Sequence, residues 1–353
     1  MPLSKPFLHA IKLHFPYQNQ INRLSKQFNV DYEKAWYSLL SKGKVRGNPL
    51  KEWANLQLSD IKTVAIDEAE YPYALKEISD PPTLLYYRGA LPPEALNLAI
   101  VGSRKISSYG TQAVNTIIRP LALQKINIIS GLAHGVDAHA HQKALELQLK
   151  TFAILGSGID QLSVYPSQNR DLAIQIIKAG GGLISELPPG SPATAANFPM
   201  RNRIISGLSQ AIIIVEATYK SGGLITGKLA LEQNRDIFAV PGNIFDAQSE
   251  GTNHLLKLGA KVITSGQDIL DEYALKNIQI PQLPIGYSLS EIEKKVLSCL
   301  TIKAIHFNEI IKRSELSASQ VNTAVIMLEL KEIISTFPGQ RYALNLTVSS
   351  KSG

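Results

Sequence analysis

The sequence predicts an α/β protein: an extended Rossmann-like, doubly wound parallel sheet, with a small helical domain before it and a winged helix-turn-helix domain after it. Three observations lead there. Between residue 98 and about residue 275, short β-branched runs alternate with segments of helical periodicity. Nearly every run passes directly into small residues with Arg or Lys close by. A Pro-containing stretch at 276–287 then separates this region from three helical patterns followed by a hairpin.

Taken in order, residues 1–60 are rich in Lys, Gln and Asn, and their apolar positions (Ile21, Leu24 and Phe28, then Ala35, Trp36, Leu39 and Leu40) are spaced for helices. Lys42, Lys44 and Arg46 cluster in a Gly-bearing turn. That pattern suits either a small accessory domain or contact with a nucleic-acid backbone. Residues 63–66 read as a strand, 71–78 as a turn and short helix, and 84–87 as a second strand ending at Gly89. These open a domain spanning 61–275. Its further strand candidates are 98–101, 127–129, 152–155, 183–185, 211–215, 237–240 and 261–263, with helices such as 136–149 and 168–179 between them. After the linker at 276–287, a domain at 288–346 begins. Ser290 and Glu293 form a capping box before the helix at 291–300. Helices at 308–312 and 319–330 follow, then a hairpin turning at Pro338-Gly339. The second helix of such a turn often reads DNA. Here it carries Glu329 and Lys331 near its end and an otherwise neutral face, which favours contact with protein.

Ligands of doubly wound sheets bind beyond the carboxyl ends of the strands, so the loops there are the candidate site. The first holds Gly102, Ser103 and Arg104; the next, Ser130 and Gly131; a third, Gly156. The densest stretch is 198–226. A helical segment carries Phe198, Arg201, Asn202 and Arg203, a β-branched run follows at 211–215, and a loop with Lys220, Ser221, Gly222 and Gly223 opens another helix at Thr226. A Gly-rich turn between strand and helix leaves backbone N–H groups pointing outward, a geometry that binds phosphate. With guanidinium groups and an aromatic ring beside it, the stretch holds the parts needed to grip a nucleotide by phosphate and base. Phe198 reads either as a stacking ring or as a plug in the core beneath the loop.

Several classes are set aside. Gly102-Ser103-Arg104 puts an arginine where the dinucleotide fingerprint needs room for a pyrophosphate, and no P-loop motif occurs. No cofactor is called for. His134, His139 and His141 lie close in sequence, but residues two apart on a helix diverge, so no metal site is expected; Asp137 reads as an N-cap. Cys299 stands alone on the apolar face of a helix and reads as core. The net charge of +7 favours an anionic partner. A single cysteine fits a reducing compartment, and neither a secretory signal nor an apolar run long enough to span a membrane is read. The expectation is a cytoplasmic protein with no membrane partner.

These motifs resemble the DprA/Smf family of DNA-processing proteins. The resemblance covers about residues 60–275 and rests on Val101-Gly-Ser-Arg104, Tyr109-Gly110, Ser130-Gly-Leu-Ala133, Gly135-Val-Asp137, Ala140-His141, Gly156-Ser-Gly-Ile-Asp160, Tyr165-Pro166, Ser185-Glu186, Phe198-Pro-Met-Arg-Asn-Arg-Ile-Ile205, Ser221-Gly-Gly-Leu-Ile-Thr226 and Val240-Pro-Gly242. His134 departs from it, standing where the family usually has Arg, and residues 1–60 carry no firmly matching motif. The resemblance implies a protein without catalytic residues that binds single-stranded DNA, forms a homodimer, protects incoming DNA and loads the RecA recombinase during natural transformation. The alternative is an enzyme. The same sheet resembles the LOG-type nucleoside-monophosphate phosphoribohydrolases, whose Pro-Gly-Gly-x-Gly-Thr-x-x-Glu motif is matched at Gly222, Gly223 and Thr226. Ile225 replaces the third glycine, however, and Lys228 and Leu229 stand where a carboxylate is needed near the glycosidic carbon.

Overall fold

A computed structural model describes residues 4–122, 124–219, 221–275, 289–300, 304–331 and 333–344. The linker expected at 276–287 lies outside the described residues. The chain divides into two compact units, Met1–Ile278 and Gln279–Gly353.

The first unit opens with four helices: α1 (Lys5–His14), α2 (Gln18–Phe28), α3 (Tyr32–Ser41) and α4 (Pro49–Gln57). Local chemistry bounds them. Asp31 and Asn48 cap α3 and α4 by accepting backbone N–H bonds, and Asn29 ends α2 in the left-handed conformation. Their apolar stripes meet the sheet. Leu8, Ile11, Ile21 and Trp36 share one apolar cluster with Leu84, Tyr86, Leu155 and Leu183, so these helices and the sheet bury each other.

The sheet is built from β1 (Lys62–Ala65), β2 (Leu84–Gly89), β3 (Leu96–Val101), β4 (Ile126–Ser130), β5 (Lys150–Ile154), β6 (Gly182–Ser185), β7 (Ala211–Ile214), β8 (Asp236–Ala239) and β9 (Lys261–Val262). The order is β1-β2-β6-β5-β4-β3-β7-β8-β9. From β6 through β9 every neighbouring pair is parallel, as the strand–helix alternation predicts. The departure is at one edge, where β1 pairs with β2, and β2 with β6, in antiparallel fashion. Between strands run α5 (Tyr73–Lys76), α6 (Ser108–Ile118), α7 (Val136–Glu146), α8 (Arg170–Lys178), α9 (Asn197–Leu208), α10 (Gly222–Glu232), α11 (Glu250–Lys257) and α12 (Gly266–Glu272).

Strand alternation divides the core between two faces. Leu98 and Ile100 of β3 pack with Val114 and Ile117 of α6 and Val136 of α7. Ala99 and Val101 pack on the opposite face with Ile204, Ile205 and Leu208 of α9 and Ala230 of α10. The β3 chain leaves toward β4 on one side, whereas β7, its other neighbour, leaves toward β8. The connections therefore diverge at the carboxyl ends of β3 and β7, where sheets of this kind open a crevice.

The second unit contains α13 (Glu291–Cys299), β10 (Ile305–His306), α14 (Phe307–Ser314), α15 (Ala318–Leu330), β11 (Ile334–Phe337) and β12 (Arg341–Leu344), a winged helix. Ser290 and Glu293 cap α13 reciprocally. Val296, Cys299, Val321, Val325 and Leu328 form its core. Lys331 turns inward to pair with Glu293 at 2.6 Å, while Ile326, Met327 and Leu330 of α15 face solvent. No helix among the described residues is long and apolar enough to cross a membrane.

Candidate nucleic-acid interface

The crevice between β3 and β7 is an open cleft of about 830 Å³. Its floor is the turn after β3: Gly102, Ser103, Arg104 and Lys105. One wall is the first turns of α9, presenting Phe198, Arg201 and Asn202; another is the start of α10, presenting Ser221, Gly222, Gly223 and Thr226. Loops far apart in sequence are thus gathered at one edge of the sheet, because parallel strands send all their carboxyl ends the same way.

At the start of α10, Gly222 and Gly223 add no side-chain bulk over the helix N-terminus. Ser221 occupies the N-cap position without capping, and its buried Oγ has no hydrogen-bond partner. Thr226 turns its hydroxyl back to the Gly222 carbonyl at 3.2 Å. Among the described residues, the first N–H groups of this helix and the Ser221 hydroxyl thus have no partner.

The corresponding end of α6, where a dinucleotide-binding sheet would receive a pyrophosphate, is already filled. The buried Glu216 carboxylate, in the loop after β7, accepts the Ser107 N–H at 3.0 Å and the Ser107 hydroxyl. Gly110 has no side chain because a Cβ there would lie 2.5 Å from Glu216 Oε2. The protein's own carboxylate takes the anion position of α6, leaving α10 as the open one. The sequence shows Glu216 only as a carboxylate after a strand; its partner is 109 residues away.

The three arginines differ. Arg104 is exposed, makes no ion pair among the described residues, and lies 5.2 Å from the centre of the Phe198 ring. Arg201 lines the cleft but is 6% exposed. Its Nη1 donates to the Gly131 carbonyl at 2.6 Å and to the Ile154 carbonyl, and a Cβ on Gly131 would strike the guanidinium. Burial lowers its pKa to about 10, with Asp137 opposing the shift, so it stays cationic at neutral pH. Arg203 departs from expectation and does not line the cleft. It pairs with Glu186 and lies 3.7 Å from Asp80. Two residues along a helix turn through about 200°, so Arg201 and Arg203 point apart. Near Arg203, Lys12 of α1 is fully buried, with no hydrogen-bond partner among the described residues. Burial lowers its pKa to about 8, against the attraction of Glu186.

Phe198 is half-buried in the first turn of α9. Tyr165 lies 5.8 Å from it, ring centre to ring centre, and also lines the cleft. This second ring was missed as a site residue; its signal was the Tyr165-Pro166 pair between two Gly-rich loops. Ser130, Gly131 and Gly156 lie beneath the cleft: Ser130 donates to the Ile100 carbonyl at 2.7 Å, and a Cβ on Gly156 would sit 3.0 Å from the Phe198 ring. Lys220 lies outside the described residues.

Other titratable groups are structural. Asp137 does not occupy the N-cap of α7, which is Gly135. Two residues on, still in the first turn, Asp137 accepts the Gly131 N–H at 3.0 Å, and burial raises its pKa while Arg201 opposes. His139 contacts Asn115 at 3.0 Å and His141 contacts Thr151 at 2.6 Å, on separate sides of α7. No cluster among the described residues could hold a metal ion.

A family model described as DNA recombination-mediator protein A matches residues 62–274, and one described as the DprA winged helix domain matches 282–340. The chain is 31% identical over 91% of its length to Protein Smf of a Synechocystis strain, covering 94% of that protein. Its fold is similar to DNA processing protein A of Streptococcus pneumoniae, with a TM-score of 0.65 and 35% identity over 77% of this chain and 99% of that one. It is also similar to DNA processing protein A of Helicobacter pylori, a structure described for its single-stranded DNA binding mode. There the TM-score is 0.53 and the identity 31%, over 61% of this chain and 95% of that one.

Proposed function

The chain belongs to the DprA/Smf family of DNA-processing proteins, and on that premise we propose that it binds single-stranded DNA without catalysing a reaction, protects incoming DNA, dimerises and loads RecA during natural transformation. The observation that carries the DNA-binding part is the Arg104 guanidinium, without an ion pair among the described residues, beside the Phe198 ring at a cleft whose other wall is the helix N-terminus of α10. A cation with unused donors and outward N–H groups suit successive phosphates, while Phe198 and Tyr165 offer faces to bases. A flexible single strand can follow this curved edge and turn its bases inward; duplex DNA keeps its bases stacked.

In this reading residues 61–275 hold the strand, residues 1–60 brace the sheet, and residues 288–346 contact protein through the neutral face of α15. Dimerisation is supported by β9, an edge strand on which Val262 is exposed; two copies paired about a two-fold axis would cover such an edge. Asp268, Asp271 and Glu272 are less available to a partner than their charge suggests. They bond respectively to the Thr264 and Ser265 N–H groups, the Gln267 amide and Lys261.

A salt titration with single-stranded, duplex and mononucleotide ligands tests the binding. Single strands should bind tightest, with a linear fall of log affinity against log salt. Light scattering should give a mass near twice 38.6 kDa, and RecA should assemble faster on strands coated by the protein. Equal affinity for duplex, or release of free base from nucleoside monophosphates, overturns the binding reading. A monomer that leaves RecA assembly unchanged overturns the loading role alone.

A further inference from the structure

Beside the cleft, on the same edge of the sheet, lies a second open pocket of about 430 Å³. Tyr109 forms one wall, the turn after β8 (Pro241, Gly242, Asn243) another, and Asp246 and Ser249 close it. The turn is pinned in place. Tyr109 donates its hydroxyl to the Pro241 carbonyl at 2.5 Å. Asn253 exchanges two bonds with the Gly242 backbone, at 3.1 and 3.0 Å. Asn243 accepts the Phe245 N–H at 3.0 Å, and Asp246 Oδ1 accepts the Gln248 N–H at 2.9 Å. Gln248 itself lines the cleft, and its carbonyl accepts the Ala217 N–H at 2.8 Å. The pocket is therefore one residue wall away from the cleft. Yet this fixed turn holds Ile244 and Phe245 in water, at 78% and 91% exposure. An apolar pair kept exposed by a rigid backbone marks a contact surface.

The lining chemistry selects the contact. Among the described residues no lysine or arginine lines this pocket, so a phosphate meets no cation there, and the Asp246 carboxylate repels one. The pocket offers an aromatic face at Tyr109, the Asp246 Oδ2 oxygen as an acceptor and the Asn243 side-chain amide as a donor. A flat group with N–H donors, an acceptor and a π face matches this set. Among the nucleobases, guanine alone places two adjacent N–H donors, N1 and the 2-amino group, beside a carbonyl oxygen on one edge. A carboxylate accepts from that pair, and an amide N–H meets the carbonyl.

We propose that this pocket takes a guanine base of the strand whose phosphates lie in the cleft, giving an otherwise sequence-tolerant site a preference for dG. The proposal rests on the single-stranded DNA reading and adds a specificity-determining residue, Asp246. Ile244 and Phe245, exposed on the same turn, offer apolar surface to the neighbouring part of that strand.

The test compares oligonucleotides of repeating dT-dT-dG with the same sequence carrying deoxyinosine, which lacks only the 2-amino group. Fluorescence anisotropy with the full chain reads the affinity ratio. Wild type should favour the guanine strand by roughly threefold to tenfold, the net worth of one ordinary hydrogen bond, because solvent in this open pocket screens the carboxylate. Asp246→Asn keeps an oxygen for the Gln248 N–H but replaces the second acceptor by a donor. It should bring the ratio to about one. Because the ratio is taken within one preparation, loss of folded protein scales both affinities and leaves it unaltered. Free GMP and IMP separate a base delivered by a strand from a free nucleotide; in this reading neither binds tightly alone. A ratio of one in wild type, a ratio unchanged by Asp246→Asn, or tight GMP binding without strand preference overturns the proposal. If dT oligonucleotides fail to bind at all, it is the reading of the cleft that fails.

Discussion

Arg104 and Arg201 both line the cleft, but replacing each with alanine should have opposite consequences. Arg104 is exposed and its one described partner is the Phe198 ring. Its loss removes an exposed cation–π contact of about 0.5–1 kcal/mol, which moves the melting temperature by only about 3 °C. In the proposed binding mode the same change removes a charge-assisted bond to phosphate of roughly 1.5–3 kcal/mol, a tenfold to hundredfold loss of affinity. It should also flatten the salt slope by about 0.7 for a single-stranded ligand. Arg201 is buried, donates to the Gly131 and Ile154 carbonyls, and faces the buried Asp137. Removing it strands two carbonyls and a carboxylate, at a cost of about 3–5 kcal/mol and a fall of about 10 °C in melting temperature. Differential scanning fluorimetry and an anisotropy titration across KCl concentrations measure both. If Arg104→Ala binds with unchanged affinity and slope, or Arg201→Ala melts like Arg104→Ala, the division between a ligand-facing and a structural arginine is wrong.

Two further outcomes follow from the same geometry. Phe198→Leu keeps apolar volume against Gly156 and Tyr165, so stability should change by less than about 1.5 kcal/mol, while loss of the ring face lowers DNA affinity by about 1–3 kcal/mol; wild-type affinity in this variant makes the ring a core plug. Lys12 has a folded pKa of about 8 against an ordinary 10.5, so the unfolded chain binds more protons between those values and stability should rise as pH increases through that window. Lys12→Met should abolish this rise and melt no lower than wild type at pH 7, since a buried charge is replaced by an apolar chain of similar length; urea denaturation at pH 7, 8 and 9.5 reads the difference.

The sequence by itself determined the layered architecture. The β-branched runs with helical segments between them produce a parallel sheet because each strand needs a crossover and both faces need covering. The Ser290–Glu293 capping box and the Pro338-Gly339 turn marked the winged helix because caps and turns are local chemistry. The cleft was legible as well, since carboxyl-end loops converge in any such sheet. The antiparallel β1–β2 edge was not, because periodicity identifies strands without fixing their direction.

Only the tertiary structure decided which charges remain available. The two-residue spacing of Arg201 and Arg203 already implied divergence on a helix, as it did for His139 and His141. What each then met depended on groups distant in sequence: Gly131, 70 residues away, for Arg201, and Glu186, 17 residues away, for Arg203. Glu216 illustrates the same limit. As a lone acidic residue in a basic chain it carries no assignment, yet folding places it on the N-terminus of α6 and moves the open anion position to α10. Periodicity and turn chemistry are set by neighbours along the chain, whereas the partner of a buried charge is set by the packing of strands and helices. For that reason the sequence located the cleft, and the fold chose which of its side chains could meet a ligand.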